Sequence, residues 1–139
     1  MPTLVDTGYL YALADKKDQY HERALEVARS LTDQLILPVT VLPEICYLID
    51  SRLGHAAMRE FVDRVPTALQ IEALSSVDLG RASEILDRYA DARLDFVDAT
   101  IFAIAERLNI IRILTTDQRH FRIFRPKHCD AFELLPSIS

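Results

Sequence analysis

Glycine and cysteine are scarce in this chain: its 139 residues include three glycines and two cysteines. No Gly-x-Gly-x-x-Gly or Gly-x-x-x-x-Gly-Lys-Ser/Thr loop is present to cradle a nucleotide phosphate, and no Gly-x-Ser-x-Gly elbow to present a serine nucleophile. Cys46 and Cys129 are far apart and lack a Cys-x-x-Cys spacing, which signals neither a disulfide framework nor a cysteine zinc site. His21, His55, His120 and His128 show no zinc spacing either, although His120 stands three residues past an acid, Asp117. The apolar runs at 9–14 and 101–105 fall short of the roughly 20 residues that span a bilayer, and no basic stretch precedes an apolar one at the N-terminus. The expectation is a cytoplasmic protein with no membrane segment.

What is there is the composition of a folded protein: 50% hydrophobic, 27% charged and only six prolines. This length suits one domain over residues 1–139. The net charge of −5 argues against nonspecific coating of nucleic acid, which draws on clustered Lys and Arg. However, Arg119, Arg122, Arg125 and Lys127 crowd one short segment. An acidic total is also what a site that collects cations carries without them.

Apolar spacing predicts strands at 3–5, 35–37, 69–74, 110–114 and near 132–135. Between them it predicts helices at 9–13, at 20–31 with Ala24, Leu25, Ala28 and Leu31 on one face, and after Thr40 as N-cap. Further helices are predicted at 55–65 before Pro66, at 77–89 through Leu79 and Ala82, and from Val97 to a stop at Asn109. Strands alternating with helices imply an α/β fold, a three-layer α/β/α sandwich around a mainly parallel sheet.

In open α/β sheets ligands bind at the carboxyl ends of strands, so acids directly after apolar strands are the candidates to test. Asp6 follows the first strand beside Thr7, and Asp117 follows the strand at 110–114 beside Thr116. Taken singly each reads more readily as a cap or turn residue. Glu44 falls in a first helical turn, where an acid also complements the helix dipole. Asp95 and Asp98, three apart, share a face at the start of a helix too apolar to be a solvent face, although Asp95 reads equally as that helix's cap and Asp98, with less force, as a complement to its dipole. Four carboxylates in one cleft would repel unless hard cations neutralised them, and such oxygens favour Mg²⁺ or Mn²⁺. Cations held there can activate water and polarise a phosphoryl oxygen, which is phosphodiester hydrolysis without a protein nucleophile.

Four segments then carry a resemblance over nearly the whole chain. Leu4-Val5-Asp6-Thr7-Gly8-Tyr9-Leu10, Leu42-Pro43-Glu44-Ile45, Asp95-Phe96-Val97-Asp98-Ala99-Thr100-Ile101 and Leu114-Thr115-Thr116-Asp117-Gln118-Arg119-His120-Phe121 resemble the four acidic blocks of PIN-domain ribonucleases. Within that family they resemble the VapC-type toxins of bacterial toxin–antitoxin pairs, and Phe132-Glu133-Leu134-Leu135-Pro136 is similar to the final strand of one branch. The resemblance implies a catalytic metal core of Asp6, Glu44 and Asp98 completed by Asp117, with Asp95 assisting and Thr7 and Thr116 orienting acids or a metal-bound water. It implies Mg²⁺ or Mn²⁺ as cofactor and RNA as substrate. It also implies a homodimer, and inhibition by a VapB-like antitoxin whose C-terminal segment fills the groove. Arg119, His120, Arg122 and Arg125 become candidate RNA contacts, alongside the reading of a solvated basic edge. One departure is Gly8, where the family often has Ser or Asn, so a polar contact near the first acid is expected to be missing.

Two other readings compete. A catalytically weak module of the same fold, acting by binding RNA or a partner protein, would need none of the four acids. A phospho-accepting domain would need a lysine downstream of its nucleophilic Asp, and Lys16, Lys17 and Lys127 are poorly placed.

Overall fold

The computed structural model describes residues 1–138. Five strands form the sheet: β1 (Pro2–Val5), β2 (Gln34–Pro38), β3 (Gln70–Glu72), β4 (Arg112–Leu114) and β5 (Glu133–Leu135). Their spatial order is β3-β2-β1-β4-β5, and every neighbouring pair is parallel. Thr3, Leu4 and Val5 of β1 and Ile113 and Leu114 of β4 are fully enclosed, the continuous burial expected of central parallel strands covered on both faces.

Seven helices complete the sandwich: α1 (Thr7–Ala14), α2 (His21–Ser30), α3 (Val41–Leu53), α4 (His55–Ala68), α5 (Ser76–Arg88), α6 (Phe96–Leu108) and α7 (Arg119–Ile123). Helix α3 packs against α1 and α4, while α5 packs against α6. The chain runs from β1 outward to β2 and β3 on one side, then returns to lay β4 and β5 on the other. Strand order therefore reverses between β1 and β4, and their carboxyl ends open the crevice where such sheets bind ligands.

Several expectations change on folding. In α2 the inward face is His21, Ala24 and Val27, and Ala28 is exposed; His21 Nδ1 donates to the carbonyl of Ala12 at 2.7 Å, which turns the helix by that side. In α5 Leu79 is exposed and Asp78 buried, because Arg107 of α6 donates to both Asp78 oxygens at 2.8 and 3.0 Å. Pro66 lies inside α4 rather than beyond it: its ring already holds a helical φ, and only Thr67 and Ala68 follow before the helix ends. Thr40 precedes α3 without capping it. Its hydroxyl meets that of Thr100 at 2.7 Å, and because Thr100 donates to the Val97 carbonyl, Thr40 must donate to Thr100. That bond ties the start of α3 to the second turn of α6. Helix α7, which apolar spacing does not predict, occupies the basic segment.

Candidate metal centre

Each acid is placed by a strand end or a helix start. Asp6 leaves β1 and caps α1, its Oδ1 accepting from the Thr7 N–H at 2.7 Å. Its Oδ2 accepts from the Thr115 hydroxyl at 2.8 Å, and its own N–H donates to the Leu114 carbonyl at 2.9 Å, so the carboxylate is clamped across β1 and β4. Glu44 projects from the first turn of α3 and accepts a hydrogen bond from the Thr7 hydroxyl. Asp95 caps α6 through the Asp98 N–H at 2.8 Å, and Asp98 stands one turn in, where its Oδ2 faces His120 Nδ1 at 2.9 Å. The capping roles of Asp6 and Asp95 thus coexist with positions in the cleft.

Asp6, Glu44, Asp95, Asp98 and Asp117 line one cleft of about 530 Å³ at the carboxyl end of the sheet, with Thr7, Gly8 and Thr116 beside them. Asp6 and Asp98 lie deep, with 5% of the residue and 14% of the side chain exposed respectively, while Asp95 and Asp117 are exposed at the rim. Ligand atoms of Asp95, Asp98 and His120 lie within 4.8 Å of one another. His120 therefore belongs to the acidic cluster through Asp98. Arg119, Arg122 and Arg125 do not line the cleft, and the Arg122 guanidinium is engaged by Gln118 Oε1 and the Ile138 carbonyl at 2.7 and 2.9 Å.

Two neighbouring threonines divide the part expected of Thr116. It is Thr115 that holds Asp6. A Cβ on Gly8 would stand 2.5 Å from Thr116 Oγ1, so the absent side chain leaves the space that the Thr116 hydroxyl fills. The Thr116 hydroxyl thus stands where a side chain at position 8 would begin. If these acids hold a cation, Thr115→Val should lower Mn²⁺ affinity about 10-fold or more by freeing the Asp6 carboxylate, with Thr116→Val costing less. Titration calorimetry with Mn²⁺ checks the order, and equal effects would remove Thr115 from its role.

Electrostatics fit the donor set. Burial pushes the Asp6 carboxyl up to about 6, against the Thr115 and Thr7 hydrogen bonds that favour its charged form, with Glu44 and Asp95 adding repulsion. Burial likewise drives Asp98 up to about 9, reinforced by Asp6, Asp95, Asp117 and Glu44. Hard carboxylate oxygens that resist shared ionisation suit a hard divalent cation, which would replace their protons.

Unfolded, Asp6 and Asp98 ionise near 3.8; folded, they keep protons up to about 6 and about 9, so across that window the native state binds more protons. Stability from these groups is then fullest at low pH and is lost as pH rises above about 4. In EDTA the thermal midpoint should fall by about 5 °C or more between about pH 5 and about pH 8, and Mg²⁺ should flatten that fall. Scanning calorimetry tests it, and parallel pH curves with and without Mg²⁺ would refute it.

The PIN domain family model matches residues 3–125. The chain belongs to the PIN domain family. This PIN domain is 28% identical over 134 residues to a Mycobacterium tuberculosis protein named Ribonuclease VapC26, covering 96% of the chain and 99% of that relative. It is 31% identical over 107 residues to the 23S rRNA-specific endonuclease VapC20 of Mycobacterium tuberculosis, covering 76% of the chain and 82% of VapC20. The crystal structure of VapC20, described as a sarcin-ricin loop cleaving toxin, superposes with a TM-score of 0.78 at 28% identity, over 84% of this PIN domain and 91% of that chain. VapBC2 from Rickettsia felis, solved on a DNA fragment from its promoter, has the same fold, with a TM-score of 0.72 at 16% identity over 98% of the PIN domain and 100% of that chain. Among the described residues no helix is long and apolar enough to cross a membrane.

Proposed function

We propose that this chain is a divalent-cation-dependent endoribonuclease that hydrolyses RNA phosphodiester bonds as the toxin of a VapBC-type toxin–antitoxin pair. The observation that carries the reading is the meeting of acids from four separate chain segments in one cleft, two of them with strongly raised carboxyl pKa values. The names of VapC26 and VapC20 support RNA as the substrate class. Asp6, Glu44, Asp98 and Asp117 are the catalytic and metal-holding residues in this reading.

Bound Mg²⁺ or Mn²⁺ would supply Lewis acidity to the phosphoryl oxygen and lower the pKa of a water. The chain's own residues do the positioning. Thr115 and the Thr7 N–H fix both Asp6 oxygens, the Thr7 hydroxyl holds Glu44 beside the cleft, and His120 Nδ1 holds one Asp98 oxygen and leaves the other for a cation. Asp95 rigidifies the α6 start and adds negative charge at the rim. Asp117, exposed, is placed to meet an incoming strand.

The same reading makes residues 1–139 one domain that acts in the cytoplasm as a homodimer and is silenced by a VapB-like antitoxin. Likeness to VapBC complexes supports the antitoxin as partner. The direct test is incubation of the purified chain with single-stranded RNA. Cleavage should require Mg²⁺ or Mn²⁺, stop with EDTA and return when the cation is restored; cleavage that survives EDTA would end the proposal.

A further inference from the structure

Six acids line the cleft, Asp6, Asp18, Glu44, Asp95, Asp98 and Asp117, against one cationic residue among the described residues, Arg52. A polyanion entering this cleft meets repulsion everywhere else until cations are bound. Arg52 lies on α3 eight residues past Glu44, with Leu48 midway, so that the three occupy one helical face along the cleft. The rise of about 12 Å between Glu44 and Arg52 separates Arg52 from the phosphate held at the acids and places it farther along the same strand.

The guanidinium is positioned rather than free. Its carbon stands 5.0 Å from the centre of the Tyr11 ring. That ring is buried, and its hydroxyl donates to Asp15 Oδ2 at 2.7 Å, which fixes the face on which Arg52 rests. Among the described residues no carboxylate lies within 4.0 Å of Arg52, in contrast to Arg81, Arg107 and Arg112, which are all committed to ion pairs. A guanidinium held over an aromatic face has N–H groups to spare for the paired oxygens of a phosphate.

We infer that Arg52, seated on Tyr11, is the phosphate-binding subsite that registers the RNA strand, by gripping a phosphate farther along the strand from the one held at the carboxylates. The inference rests on the endoribonuclease reading and gives the strand's contact to α3 in place of the basic segment around α7. Arg52 is a positioning residue in this account, because the reacting phosphate stays with the acids.

The test uses the full chain in an Asp98→Asn background, which spares the RNA, and a fluorescent single-stranded RNA oligonucleotide in Mg²⁺. Adding Arg52→Met should weaken binding about tenfold and reduce the slope of log affinity against log salt by about one. Arg52→Lys should keep most of the salt slope and lose part of the affinity, because the charge remains and the fork does not. Replacing one linkage at a time by an uncharged methylphosphonate should find one position that weakens binding when Arg52 is present and costs nothing further in the Arg52→Met variant. Unchanged affinity and salt slope in Arg52→Met, or no such linkage, would overturn the subsite. Failure of the wild-type chain to cleave the same RNA is a separate outcome that strikes the nuclease reading.

Discussion

Asp98→Asn should lower RNA cleavage by at least about 10³-fold while raising the thermal midpoint of the cation-free protein. The two effects have one origin. Asp98 is half-buried among Asp6, Asp95, Asp117 and Glu44, and desolvation followed by their repulsion raises its pKa to about 9. An amide of the same shape removes that repulsion and keeps the packing, but under the proposed function it takes away an anionic ligand for the cation. The gain should be largest at about pH 8 in EDTA, where the wild-type carboxyl is most costly, and smallest at about pH 5. Cleavage assays and calorimetry on the same preparations separate a lost ligand from a lost fold. An Asp98→Asn protein that cleaves like wild type, or one that melts lower in EDTA, would remove Asp98 from the centre of the mechanism. Expression of the wild-type chain should also arrest bacterial growth, and Asp98→Asn should relieve the arrest.

The second large effect lies one turn along the same helix. Phe102 is fully buried, stacked on Phe124 with centroids 4.3 Å apart and set edge-on to Phe121 at 5.0 Å. Phe102→Ala should cost about 3–5 kcal/mol through lost contact and the remaining cavity, a large part of the roughly 5–15 kcal/mol typical of a domain. Chemical denaturation should give that difference, with Phe96→Ala at the exposed start of α6 staying within about 0.5 kcal/mol of wild type. Function should suffer as well, because Phe121 belongs to α7 and α7 carries His120 to Asp98. A Phe102→Ala protein with unaltered stability would mean that this aromatic layer does not hold α7 against α6.

These effects have different visibility in the sequence. The acid–strand junctions at Asp6 and Asp117 are readable because a change from apolar to turn-forming residues marks a strand end, and α/β sheets place ligands there. The start of α6 is readable because Asp95 and Asp98 precede a long apolar stretch. By contrast, the choice of Thr115 over Thr116 depends on which hydroxyl faces β1 across the sheet, a matter of pairing between segments 109 residues apart. Arg52 over Tyr11 is a contact between two helices, and neither residue carries a local signal of it. The same limit explains the misplaced faces of α2 and α5: His21 and Asp78 are polar, and only their partners Ala12 and Arg107 make burial favourable.

Sequence alone determined the alternation of strands and helices, the parallel sheet, and the acids worth testing, because these follow from the periodicity of apolar residues and the chemistry of carboxylates. Tertiary structure decided which hydroxyls, imidazole and guanidinium meet those acids, since hydrogen bonds and cation–aromatic contacts act over a few ångströms between segments that only folding brings together.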